Sequence, residues 1–152
     1  MRRNRIFIDV ALCCLALVAT DCKKKKKVPS TDGTPTITFE SISPGSVKEF
    51  QDAITIRFSY ADYDGDVGEN DPNKTNLVVT DSRNGVAYKY RIKQLTPSGS
   101  SITIKGELYV RIDNTLITNG SSSENVHYTL KLEDRAGHWS NEIETSDITV
   151  TQ

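Results

Sequence analysis

From residue 36 onward, hydrophobic and polar positions alternate along the chain with a period of two. Residues 54–60 read Ile-Thr-Ile-Arg-Phe-Ser-Tyr, and residues 126–132 read Val-His-Tyr-Thr-Leu-Lys-Leu. This period places successive side chains on opposite faces of a β-strand, so that one face is buried and the other is solvated. No stretch of this region has the 3.6-residue period of an amphipathic helix. The pattern predicts an all-β body.

Turn-forming residues divide this body into about seven strands. Asn84-Gly85 separates two of them and predicts a tight hairpin, because both residues tolerate positive φ. Seven short strands at this spacing favour a single antiparallel β-sandwich. The predicted strands cover residues 36–42, 53–61, 76–82, 86–93, 101–112, 125–133 and 143–150.

The N-terminal part of the chain is organised differently. An arginine-rich start precedes an apolar run at residues 6–19, which is followed by Cys22 and five consecutive lysines, Lys23–Lys27. A basic start and an apolar run of this length are typical of a secretory signal. The run is shorter than the roughly 20 apolar residues that a membrane-spanning helix needs. The pattern therefore predicts export.

The sequence Ala19-Thr-Asp-Cys22 resembles the lipobox of bacterial lipoproteins, in which small residues precede a cysteine that receives a lipid. The resemblance implies a signal peptide at residues 1–21 and a lipidated Cys22 that begins a lysine-rich flexible tether at 22–34. It also implies a location in the cell envelope, with the outer membrane as the expected bilayer. Secretion without a lipid and an uncleaved anchor are the alternatives.

Cysteine and charge distribution limit what the body at residues 35–152 can do. The three cysteines lie at or before Cys22, so a disulfide, a zinc finger and a cysteine nucleophile are excluded from the body. Residues 28–152 contain 11 basic and 18 acidic residues, hence a net charge of −7, which disfavours a nucleic-acid partner. The lysine run attracts anionic lipid headgroups, or alternatively acts as a solvated spacer.

Residues 126–141 resemble the closing hairpin of bacterial extracellular immunoglobulin-like domains. In that family an alternating strand ends in an Asp-x-Ala-Gly-Asn-x-Ser sequence, and here Asp134-Arg-Ala-Gly-His-Trp-Ser140 occupies the corresponding place. The resemblance implies an immunoglobulin-like or fibronectin-like sandwich. A fold of this kind does not by itself specify an activity.

The densest group of chemically active side chains follows the predicted strand at 53–61. Asp62, Asp64 and Asp66 alternate with a tyrosine and a glycine, and oxygen ligands of this kind suit Ca²⁺. The immunoglobulin-like topology would bring Asp134 to the same end as these three aspartates. Either a divalent ion or Arg135 would then compensate the repulsion between the negative charges. The alternative is a solvated acidic turn held by local hydrogen bonds.

Two further residues, His138 and Trp139, are candidates for binding a protein or glycan partner, because exposed aromatic side chains are enriched at binding hot spots. The alternative is a tryptophan that covers one end of the core. Two histidines with no cysteine nucleophile and no nucleophile-elbow glycine pattern do not form a recognisable catalytic arrangement. The chain is therefore predicted not to be an enzyme.

Together these observations predict a lipid-anchored, non-catalytic binding or accessory module of the cell envelope, with Ca²⁺ as its one candidate cofactor. The alternatives are a structural spacer lipoprotein without a ligand and a hydrolase whose site has no recognisable motif.

Overall fold

The structure, a computed structural model, describes residues 31–152. The predicted signal peptide, Cys22 and Lys23–Lys27 lie outside the described residues. Within residues 31–152 there is no helix, and so none that is long and apolar enough to cross a membrane. The ten strands are β1 (Thr36–Ser43), β2 (Ser46–Lys48), β3 (Ile54–Asp62), β4 (Leu77–Asp81), β5 (Ala87–Tyr90), β6 (Ile104–Ile112), β7 (Ser123–Val126), β8 (Tyr128–Leu132), β9 (Ile143–Glu144) and β10 (Ile148–Thr151).

The strands form three sheets. One sheet has the order β1-β3-β6 and is antiparallel throughout. A four-stranded sheet has the order β5-β4-β8-β9 and is also antiparallel. The third has the order β2-β10-β7, in which β2 runs parallel to β10. The prediction of an all-β body is therefore confirmed.

The predicted count of about seven strands and the purely antiparallel arrangement are corrected by this structure. The predicted strand at 125–133 is divided at His127 into β7 and β8, which belong to different sheets. The predicted strand at 143–150 is divided in the same way, because the Thr145 hydroxyl accepts a hydrogen bond from the Tyr128 backbone N–H at 3.0 Å. A side chain thus replaces one backbone hydrogen bond where the two sheets separate, while the Thr145 N–H still donates to the Tyr128 carbonyl at 2.9 Å.

The core comes from the alternating positions that the sequence pattern identified. Ile54, Ile56 and Phe58 of β3 are completely buried, as are Leu77 and Val79 of β4. Burying a side chain of this size contributes about 1.5–3 kcal/mol. This cluster of hydrophobic residues is the main stabilising element of a body without cysteines.

Strand register determines which segments meet at one end of the body. Thr36, the first residue of β1, pairs with Ala61 near the end of β3, so the chain enters the body beside Asp62. Val67, in the loop after β3, forms an antiparallel bridge with Asp134, in the turn after β8. The chain entry, the acidic loop and this turn therefore lie together.

Candidate metal centre in the acidic loop

The acidic loop, residues 62–71, places three carboxylates close together. Asp62 ends β3 and is completely buried, while Asp64 and Asp66 are partly buried. One carboxylate oxygen from each of the three lies within 4.8 Å of the others. The structure therefore groups three of the four predicted metal ligands.

Hydrogen bonds hold two of these carboxylates by one oxygen each. The Val67 backbone N–H donates to Oδ2 of Asp62 at 3.1 Å, and the Ala136 N–H donates to Oδ2 of Asp66 at 3.1 Å. The Oδ1 atoms of Asp62, Asp64 and Asp66 are buried and have no hydrogen-bond partner. Each carboxylate is therefore left with one unsatisfied buried oxygen.

The electrostatics of the loop reflect this crowding. Burial raises the pKa of Asp62 to about 6 against the opposing hydrogen bond from Val67. The charge of Asp64, a hydrogen bond that protonated Asp62 would share with Asp64, and the charge of Asp66 add to this rise. Burial also raises the pKa of Asp66, and the charge of Asp134 adds to the effect. In both residues the charged carboxylate is therefore disfavoured relative to the neutral carboxyl.

Two glycines give the loop its shape. Gly65 and Gly68 have φ values of +74° and +100°, which L-residues with side chains rarely adopt. The hydroxyl of Thr96 donates a hydrogen bond to the Gly65 carbonyl, which ties the loop to the segment after β5. The glycines let the backbone turn tightly enough to bring Asp62, Asp64 and Asp66 together.

Asp134 lies beside the loop but is engaged elsewhere. Its side chain is fully buried, and its two oxygens meet the His138 backbone N–H at 2.8 Å and the His138 ring Nδ1 at 3.0 Å. The hydrogen bond with Asp134 and its charge raise the pKa of His138. Asp134 is therefore outside the three-carboxylate group and acts on it through its charge on Asp66.

Arg135, the second predicted source of compensation, points its guanidinium at backbone carbonyls. Its Nη1 donates to the Gly68 carbonyl at 3.1 Å. Its charge lowers the pKa of Asp66 only as a secondary influence. Among residues 31–152 no arginine or lysine forms an ion pair with Asp62, Asp64 or Asp66.

The two candidate binding residues lie in the turn that follows β8. Trp139 is 43 % exposed and bridges to Glu133, so the tryptophan does not lie inside the core. The ring of His138 is about half exposed and is held by Asp134. The structure thus leaves the indole of Trp139 accessible and fixes the orientation of His138.

Sequence patterns did not identify the contribution of Gly33. This residue belongs to the predicted flexible tether, yet it is buried and has a φ of +82°. A Cβ at this position would lie 2.7 Å from Oδ2 of Asp64. The end of the tether therefore packs directly against the acidic loop, a long-range contact that only an unusual Asp-Gly pair at 32–33 hints at in the sequence.

Comparison with protein-family models finds no match. Comparisons with curated proteins and with solved structures find no significant match either, so no family is assigned to this chain.

Proposed function

We propose that this protein is a lipid-anchored, non-catalytic binding or accessory module of the cell envelope. The observation that carries the proposal is Cys22, placed after an apolar run with a basic start and before Lys23–Lys27. Stable attachment to a membrane generally needs two signals, and an acyl chain on Cys22 together with the lysine run would supply both.

We further propose that the body is an immunoglobulin-like sandwich. In such a fold, the first, second and fifth strands share one sheet, and the third strand lies beside the sixth and seventh in the other. The order β1-β3-β6 agrees with the first group, and the strands β4-β8-β9 of the order β5-β4-β8-β9 agree with the second. Strand β5 departs from the constant-type scheme, because it pairs with β4 and not with β6. The parallel β2 and the interruptions at His127 and Thr145 would be local modifications of that scheme.

Exposed apolar side chains at one end favour a binding module over a spacer. Tyr63 lies in the acidic loop and Ile102 lies beside Gly65 of that loop, and they are 50 % and 56 % exposed. Trp139 is exposed in the neighbouring turn. Clustered exposed apolar groups mark interaction sites more often than single ones do. Because the chain enters at this end and Gly33 packs against the body, the residues 23–32 keep this end within about 35 Å of the membrane.

Metabolic labelling with a radioactive fatty acid tests the anchor. The wild-type chain is expected to incorporate label, and Cys22→Ala is expected to lose it completely and to leave the membrane fraction. Cys14→Ala, which removes a cysteine within the predicted signal, is the matched control and should label normally. Label that survives in Cys22→Ala would contradict the proposal.

Crosslinked pull-down of the intact lipoprotein from its native envelope tests the binding end. Capture of a partner is expected to fall at least about tenfold for Trp139→Ala, since a tryptophan at a binding hot spot contributes about 2 kcal/mol to binding. Tyr109→Ala, which removes an aromatic side chain that is 61 % exposed on β6, is the control and should retain the partner. Equal capture by both variants would exclude Trp139 from the binding surface, whereas the absence of any captured partner would favour the spacer alternative.

A further inference from the structure

We propose that Asp62, Asp64 and Asp66 form a divalent-cation site and that Ca²⁺ is the ion it fits best. The proposal concerns the folded body and does not depend on lipidation or on a binding partner.

The unsatisfied oxygens are the first observation that points to a cation. Asp62 is 0 % exposed, and its Oδ1 has no hydrogen-bond partner. The Oδ1 atoms of Asp64 and Asp66 are also buried and without a partner. Burying a polar atom without compensation is costly, and such atoms in folded proteins are normally paired with a donor, a water or an ion. A bound cation would satisfy all three oxygens at once.

The remaining hydrogen bonds orient the site. Val67 N–H and Ala136 N–H hold Oδ2 of Asp62 and Oδ2 of Asp66, which leaves the other oxygen of each carboxylate available. One carboxylate oxygen from each of the three residues lies within 4.8 Å of the other two, and two oxygens bound to one Ca²⁺ at 2.3–2.6 Å are separated by at most about 5 Å. The ligands would therefore need little rearrangement to reach a common ion.

The donor set selects the kind of ion. All three ligands are carboxylate oxygens, and the group contains neither the imidazole nor the thiolate ligands that zinc prefers. Ca²⁺ accepts six to eight oxygens in a flexible geometry, whereas Mg²⁺ requires a near-ideal octahedron. A loop whose carboxylates are held by separate backbone groups suits the more tolerant ion.

The ion would join three segments that are distant in the sequence. Oδ2 of Asp64 lies against Gly33, at the entry of the tether. The Asp66 carboxylate accepts a hydrogen bond from the backbone N–H of Ala136, in the turn after β8. Neutralising the acidic loop would therefore strengthen the existing contacts of the tether and of this turn with the end of β3, so the cation would stabilise the orientation of the body on its tether.

Calcium titration of the full-length chain in detergent, after treatment with a chelator, tests the site. At a hundredfold excess of free Ca²⁺ over the dissociation constant, the midpoint of thermal unfolding is expected to rise by about 8 °C. Calorimetry is expected to show one site per chain. An unchanged midpoint together with no binding heat would overturn the proposal.

Two variants locate the ion. Asp64→Asn removes a ligand that accepts no hydrogen bond through Oδ1 and is expected to abolish the calcium shift. Asp62→Asn keeps an acceptor for Val67 and removes one buried negative charge, so it is expected to unfold a few degrees higher than the wild type without Ca²⁺ and to ignore added Ca²⁺. This second variant separates loss of binding from loss of folding.

Asp113→Asn is the matched control. Asp113 lies at the opposite end of β3 from the proposed site. It follows Ile112, which pairs with the first residue of β3, whereas Asp62 is the last residue of that strand. The control should retain the full calcium shift. A shift that persists in Asp62→Asn and Asp64→Asn would overturn the location of the site, and an equal shift with Mg²⁺ at the same concentration would overturn the choice of ion.

Discussion

Replacing Arg83 with methionine is expected to lower the free energy of unfolding by about 3 kcal/mol. The side chains of Arg83 and Asp81 are only 8 % and 1 % exposed, and the guanidinium Nη2 lies 2.7 Å from Oδ2 of Asp81. Methionine preserves most of the apolar volume but cannot donate a hydrogen bond. The Asp81 carboxylate would then remain buried with no cation beside it, which is the main cost.

Arg83 also joins segments that are distant in the sequence. Its Nη1 donates to the Leu116 carbonyl at 2.8 Å and to Glu124 at 3.1 Å, and its Nη2 donates to Thr115 at 3.0 Å. The substitution would release the loop between β6 and β7 from the hairpin that connects β4 and β5. The substitution is therefore expected to loosen both the loop between β6 and β7 and the hairpin between β4 and β5, in addition to breaking the ion pair.

Urea unfolding followed by tyrosine and tryptophan fluorescence measures this effect. Arg111→Met is the matched control, because Arg111 pairs with Asp113 at the surface, where the two side chains are 66 % and 84 % exposed. That variant is expected to change stability by less than about 1 kcal/mol. Adding Asp81→Asn to Arg83→Met should recover part of the loss. Equal stability of Arg83→Met and Arg111→Met would contradict the interpretation.

Replacing Gly68 with alanine is expected to destabilise the body by about 3 kcal/mol and to distort the acidic loop. Gly68 has a φ of +100°, and an added Cβ would lie 2.7 Å from Cα of Gln94 as well as against the Lys93 carbonyl. These obstacles are backbone atoms, which cannot rotate away. The adjacent Glu69 N–H is bonded to the Ile92 carbonyl at 2.9 Å, so the loop is fixed against the opposing segment.

Thermal unfolding and amide hydrogen exchange in the loop measure this change. Gly85→Ala is the matched control, because Gly85 has a φ of +72° but no atom within 4 Å of the added Cβ. This variant should lose only the stability that alanine costs at a positive φ, about 1–2 kcal/mol. If the two substitutions cost the same, the close approach of Gly68 to residues 93–94 does not contribute to stability.

The strands were largely predictable because alternation is a local property. The buried positions Ile54, Ile56 and Phe58 are the hydrophobic positions of the alternating pattern, and β3 begins one residue from its predicted start. The parallel strand β2 was not predicted, because its three residues are too few to show a period. The division at Thr145 was also missed, since it depends on a hydroxyl meeting the Tyr128 N–H across the sheet.

The candidate metal centre was predictable in part for a similar reason. Asp62, Asp64 and Asp66 are two residues apart along one loop, so their proximity follows from the local chain. The sequence could not show that both carboxylate oxygens of Asp134 would be hydrogen-bonded to His138. Several aspartates lie near this turn, and the sequence does not say which of them the histidine contacts. Nor could it show that Arg83 would reach Glu124 across 41 positions.

By itself, then, the sequence determined the β-strands, the grouping of the three aspartates and the features that predict export, all of which depend on residues close together in the chain. Only the tertiary structure decided that one oxygen of each aspartate is buried without a partner and that Gly33 closes against Asp64. The reason is physical: burial and hydrogen-bond satisfaction depend on which distant segments pack together, and strand register fixes that packing only once the chain has folded.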